Sequence, residues 1–189
     1  KQQRIDEMRF FRAHGHFLLK RLYKKIPFAN DANLSPEEYN YLSNTTYNND
    51  EGWQQIADDF QFAYDNLPVK QADKGRPAKA AAAAYLAKTY LYKAYHQDNA
   101  DSHEVTSLST EDLVKVVQYT DNAIMSAGGY GLESDFHNNF RPEPQYENGV
   151  ESLWAMQYSM NDGTNNGNCN WSYGLIVPTI PGVTDGGCD

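Results

Sequence analysis

Apolar residues recur at helical spacing in four stretches of the chain. Met8, Phe11, Gly15, Leu18 and Leu22 follow one another at steps of three and four, and Phe10, Ala13 and Phe17 widen that side. The period predicts a first helix over 4–25, halted by Ile26, Pro27 and Phe28. Trp53, Ile56, Ala57, Phe60, Ala63 and Leu67 predict a second helix over 51–66, with Asp50 as its N-cap and Pro68 as its stop. Between them, 30–50 is polar and Asn-rich, an extended connection long enough to wrap around the fold or to bind something.

The third helix, expected over 77–97, is the one the others are arranged around. Pro77 suits a first helical turn, where its missing N–H has no partner to lose. Ala80, Ala83, Ala84, Ala87, Leu91 and Ala94 form a stripe of small side chains that lets a neighbour approach closely. Tyr85 and Tyr92 occupy a second face. Lys79, Ala82 and Lys93 mark the strip left for solvent, with Leu86 and Tyr90 intruding on it. A helix apolar on several faces is packed between neighbours.

A polar insertion is expected over 98–108. Ser109 then caps a fourth helix, with Asp112 at the third position, and Leu113, Val116, Val117, Thr120, Ile124 and Ala127 line its inner face. Gly128 and Gly129 end it. Beyond 130 the period dissolves, except for one strand expected over 150–159. The expected fold is mainly α: tetratricopeptide-like helix pairs in a scaffold over 1–129. A loop-rich segment over 130–189, with that single short strand, packs on the scaffold as part of the same domain. No clean repeat of 34 residues is present, and the insertion at 98–108 interrupts the pattern.

Composition narrows the function. The 189 residues are 40% hydrophobic and 13% aromatic, ample for a core, and the net charge is −9. No basic stripe exists to neutralise phosphates, so nucleic acid is not an expected partner. No run of 18 apolar residues exists to span a bilayer. The chain starts without Met and stops within a Gly-rich stretch, which reads as an internal piece of a longer protein. Cys169 and Cys188 sit in polar surroundings, either as a disulfide in an oxidising compartment or as two independent thiols.

Four stretches, in order, resemble the SusD/RagB family of Bacteroidetes outer-membrane lipoproteins. Glu7 to Ala13 is similar to the E-x-R-F-x-R-A helix, followed by Ile26-Pro27-Phe28. Residues 53–68 are similar to I-x-x-D-L-x-x-A-x-x-x-L-P, with Phe60 in place of Leu. Residues 75–92 are similar to G-R-x-T-K-x-A-A-x-A-L-L-A-K-x-Y-L-Y, with Ala78 for Thr and Tyr85 for Leu. Residues 129–132 and 151–158 are similar to G-Y-x-L and E-S-I-F-x-I-Q-Y. The resemblance implies a SusD-like α-helical fold and a non-enzymatic protein on the outer-membrane surface that captures glycans. It also implies a SusC-like TonB-dependent transporter as partner, with membrane contact only through a lipid anchor outside this chain. The alternative is a tetratricopeptide-like protein–protein interaction scaffold without glycan binding.

Sugar capture needs an aromatic platform for the apolar face of the ring and amide or charged groups for its hydroxyl rim. The 161–173 stretch offers Asn170, Trp171 and Tyr173, and the 39–47 stretch offers Tyr41 and Tyr47, with Tyr39 beside them. The bland account is turn chemistry in Asn/Gly-rich loops, with Trp171 as a core anchor. No cofactor is expected. The cluster His96, Asp98, Asp101, His103 and Glu104 lacks metal-site spacing and reads as a solvated loop, and His14 and His16 point to different faces. Glu133, Asp135, Glu143, Glu147 and Glu151 could supply paired carboxylates, but an acidic chain offers such clusters by chance, so no hydrolase is expected. Arg9 and Arg12 are expected in ion pairs with the acidic helices.

Overall fold

The structure, a computed structural model, describes residues 2–29, 34–97, 103–141 and 143–157. Lys1–Ala155 forms one compact unit and Met156–Asp189 a second, of which Met156 and Gln157 are described. Within the first unit the described elements are α1 (Gln2–Leu22), α2 (Pro36–Asn40), α3 (Asn49–Asn66), α4 (Lys79–Ala94), β1 (Tyr95–Gln97), β2 (Val105–Leu108) and α5 (Thr110–Ile124). Two 3-10 turns follow, Phe136–Phe140 and Pro144–Tyr146. Helix packs on helix in sequence: α1 on α3, α3 on α4, α4 on α5. This mainly α arrangement is the expected one.

The second-helix periodicity translates directly into burial: Ile56, Ala57, Phe60 and Ala63 are fully buried, and Trp53 and Leu67 nearly so. Its cap differs from the expectation. Asn48 and Glu51 exchange side-chain-to-backbone bonds of 2.9 Å each, a reciprocal capping box that starts α3 two residues earlier. Asp50 is thereby released from capping and its Oδ2 lies 2.6 Å from Nδ1 of His96.

Two faces are centred differently from the sequence reading. On α1 the inward side chains are Phe10, Ala13 and Phe17, while Met8, Leu18 and Leu22 are exposed. On α4, Ala82 is fully buried rather than solvent-facing, and Ala84 is only half-buried. α4 lies between α3 and α5, and its more exposed strip runs through Ala84, Lys88, Leu91 and Tyr92 instead. Alanines on opposite sides both serve close approach, and hydrophobicity alone cannot rank them. On α5, Val117 and Ile124 stay exposed, together with Val114, so only part of its expected inner face is covered. Ser109 caps α5 as expected, its Oγ accepting from the Asp112 N–H at 3.2 Å. Asp112 turns instead to Lys93 at 3.0 Å.

The strands also move. Residues 150–157 form no strand. Val150 N–H donates to the Glu133 carboxylate at 3.3 Å, Ser152 N–H turns back to the Gly149 carbonyl at 3.0 Å, and Gly131 N–H to Val150 O supplies one bond at 3.1 Å. With these donors committed to a side chain and a turn, no ladder can propagate. Residues 158 and 159 lie outside the described set. The sheet is instead the antiparallel pair β1–β2, inside the region read as helix end and polar insertion. α4 stops at Ala94, whose carbonyl accepts from the Ser109 N–H at 2.8 Å and so closes the hairpin onto the start of α5. β-branched Val105 and Thr106 favour the extended return strand.

The four family-like stretches converge on each other. Arg9 Nη1 reaches Asp59 Oδ1 at 2.5 Å. Arg12 grips the same carboxylate with Nε at 2.6 Å and Nη2 at 2.7 Å. Planar two-pronged pairing of this kind is what guanidinium geometry favours. Asp59 is buried on α3, so the two arginines tie α1 to it. Glu7, also buried, meets Arg76 at 3.4 Å and Gln71 at 3.2 Å. Gly75 holds φ +83°, a conformation that disfavours any side chain, and its carbonyl accepts from Trp154 Nε1 at 2.8 Å.

Candidate functional site

Of the residues put forward from the sequence, Asn170, Trp171 and Tyr173 lie outside the described residues, as do Cys169 and Cys188. Tyr41 follows the short α2 and is 81% exposed, with Tyr39 also exposed. Tyr47 is half-buried and meets Phe28 edge-on at 5.3 Å, so it closes the core margin. The structure therefore gives Tyr41 and Tyr47 different surroundings, one in solvent and one against the core.

A groove of about 550 Å³ opens elsewhere, where the C-terminal end of α1, the first turns of α3, the end of α4 and the β1–β2 hairpin meet. Its floor is Trp53, stacked on Tyr92 with centroids 5.1 Å apart and planes 27° from parallel. Tyr92, Tyr95 and Leu91 are each close to half exposed and give the wall an apolar surface. Gln97 and His103 bring polar groups from the hairpin, and Asn49 from the start of α3.

Cations supply the other wall. Lys20, Arg21 and Lys24 line the groove, and among the described residues no Asp or Glu does. Lys20 is only 5% exposed. Its Nζ donates to the Lys24 carbonyl at 3.0 Å and to Asn49 Oδ1 at 3.2 Å, and lies 5.2 Å from the centre of the Trp53 ring. Burial drives its pKa down to about 8, opposed by attraction to Asp50 and assisted by repulsion from Lys24. The ammonium fits because position 52 is glycine: a Cβ there would stand 3.0 Å from Nζ. A smaller recess beside Lys24, Lys25, Thr45 and Tyr47 adjoins it and shares Lys24 and Asn49.

Sequence reasoning missed this groove. Its residues span positions 20 to 105 and come from five elements, so no local motif announces it. The available signal was the basic run at 20–25, which by itself is ordinary helix C-terminal chemistry. Among the described residues no group of three or more His, Cys, Asp or Glu could hold a metal, and no helix is long and apolar enough to cross a membrane. His14 is half-buried among Phe10, Tyr85 and Trp154, and His16 packs on Phe28; burial lowers the pKa of both.

Residues 2–91 match a SusD-like family model described as "Starch-binding associating with outer membrane". A SusD-like protein of Formosa agariphila is 37% identical over 92 residues, 49% of this chain and 18% of that protein. A solved structure described as being with xylogluco-oligosaccharide is 26% identical with a TM-score of 0.62, covering 83% of this chain and 29% of that one. A SusD superfamily protein from Bacteroides fragilis, 18% identical, shares the fold with a TM-score of 0.61 over 86% of this chain and 31% of its own. The chain thus spans less than a third of the length of each of these relatives. Sequence match and shared helical fold agree: residues 2–91 are similar to the SusD-like family, and the chain shares the helical fold of solved SusD superfamily proteins.

Proposed function

We propose that this protein captures glycans at the outer-membrane surface without catalysing their cleavage, and hands them to a SusC-like TonB-dependent transporter. The observation that carries the reading is that the starch-binding family match falls on α1, α3 and α4, the helices that build the groove. The groove suits the task physically. Tyr92 and Tyr95 offer flat amphipathic surfaces to a pyranose face, and Asn49, Gln97 and the cations can address its hydroxyls. A lipid anchor outside this chain would hold it at the membrane.

Isothermal titration calorimetry against a panel of neutral and acidic polysaccharides tests the reading. Saturable binding of at least one glycan is expected, with no release of reducing sugar. A panel with no binding would overturn it. The second reading, a tetratricopeptide-like scaffold for a protein partner, is favoured by one observation, the exposed Val114, Val117 and Ile124 on α5. Glycan binding that survives substitution of these three residues by serine separates the two.

A further inference from the structure

We propose that two copies of this chain associate through the outer face of α1, antiparallel about a two-fold axis between Arg12 and Gly15. The described helices stack in the order α1, α3, α4, α5, which leaves α1 at one end. The end of such a stack ordinarily turns a polar face to water. α1 is instead apolar on both sides, the pattern of a helix packed between neighbours. Phe10, Ala13 and Phe17 fill the core on one side. On the opposite side Ile5, Met8, Leu19 and Leu22 are all exposed. α5, at the other end, interrupts its exposed apolar stripe with Asp121.

The outer residues Ile5, Met8, Arg12, Gly15, Leu19 and Leu22 follow one another at steps of three, four, three, four and three. That is the seam of a coiled coil, and these steps read the same in both directions. An antiparallel copy therefore sets Ile5 against Leu22 of the second copy, Met8 against its Leu19, and Arg12 against its Gly15. Large meets small at the centre, and apolar meets apolar on either side, the self-complementarity a two-fold interface requires. Gly15 is the second observation. It is exposed, and a Cβ there would meet nothing within 4 Å among the described residues. Glycine weakens a helix interior relative to alanine, so at this position it has a cost and serves no described contact. Opposite Arg12 of a second copy it becomes the hole for that stem. Charge does not oppose the pairing. Arg12 is already held by Asp59 at 2.6 and 2.7 Å, and the two carboxylates of α1, Asp6 and Glu7, are buried. The seam runs along about 25 Å of helix. Two such faces bury on the order of 1,000 Å² in total, at the low end of what a specific interface needs, so the dimer is expected to dissociate on dilution.

The test is sedimentation equilibrium of the 189-residue chain over a hundred-fold range of concentration, with a monomer–dimer equilibrium expected. Met8→Glu with Leu19→Glu, both exposed, should weaken dimerisation ten-fold or more and leave the circular dichroism spectrum unchanged. Gly15→Leu separates interface from fold. It should leave the monomer at least as stable to heat, because leucine is the better helix former and meets nothing, yet weaken the dimer ten-fold or more. Crosslinking reads the register, in a background with Cys169→Ser and Cys188→Ser. A short-spacer bismaleimide should join Ile5→Cys chains to Leu22→Cys chains in a mixture, and join neither kind to itself. A chain monomeric throughout, a dimer that keeps its affinity in either variant, or Ile5→Cys chains joined to one another overturns the proposal. If the chain is monomeric, alkylation of Leu19→Cys identifies the other occupant: protection by phosphatidylglycerol vesicles assigns the face to a lipid surface, and protection within a longer parent protein assigns it to another segment of that protein.

Discussion

The same three helices build two aromatic clusters, two turns apart. Phe10 and Phe17 on α1, Phe60 and Trp53 on α3, and Tyr85 and Tyr92 on α4 are pairs separated by seven positions. In one cluster Tyr85 stacks on Phe60 at 5.1 Å and 19°; in the other Tyr92 stacks on Trp53 at 5.1 Å and 27°. Phe17 touches both tyrosines edge-on, at 5.7 and 5.6 Å. What differs is the cover. Trp154 packs on Phe10 at 5.2 Å and seals the first cluster, whereas cationic side chains and a hairpin border the second. The internal packing is repeated; the difference between core and candidate site lies in what closes the outer face.

The largest expected effect sets these clusters against each other. Phe60 is fully buried, and Phe60→Ala should cost about 3–5 kcal/mol in urea unfolding. Tyr92 is 43% exposed, and Tyr92→Ala should cost about 1 kcal/mol, in the range of a lost aromatic pair. Equal costs would mean that the second cluster is core as well.

Lys20 gives the next effect. In the unfolded chain its amine keeps its proton up to about pH 10.5, and in the folded protein only up to about 8. Between these values the unfolded state binds more protons, so this group makes stability rise with pH across that window, by about 3 kcal/mol at most. Comparing wild type with Lys20→Met by urea unfolding at pH 7.5 and 10.5 isolates the contribution. The methionine variant should lack this rise, and identical slopes would show that the ammonium is not buried. The smallest effect concerns the seal. Trp154→Phe keeps an aromatic cover but loses the 2.8 Å bond to the Gly75 carbonyl, costing about 1 kcal/mol by thermal unfolding.

Much of the scaffold was legible from spacing alone. Trp53, Ile56, Phe60 and Ala63 announce their face because large apolar residues alternate cleanly with polar ones. The faces of α1 and α4 were less legible. Apolar residues surround most of α1, and alanine carries too little side chain to say which way it points. The hairpin escaped because Tyr95, His96 and Gln97 continue the helical pattern, and only the carbonyl of Ala94 meeting Ser109 shows where α4 yields. The groove was illegible for a further reason. Lys20 reads as a surface lysine until Trp53, Asn49 and Gly52 are brought around it by tertiary packing. Burial of a charge is a property of neighbours, and neighbours distant in sequence leave no local trace.

Gly52 has a consequence beyond making room. By seating the ammonium against α3, it moves the loss of hydration into the folding reaction. A ligand that enters the groove meets a charge already stripped of most of its water and already fixed in direction. Less ordering and less desolvation then remain for the encounter itself, which is the physical meaning of a preorganised site.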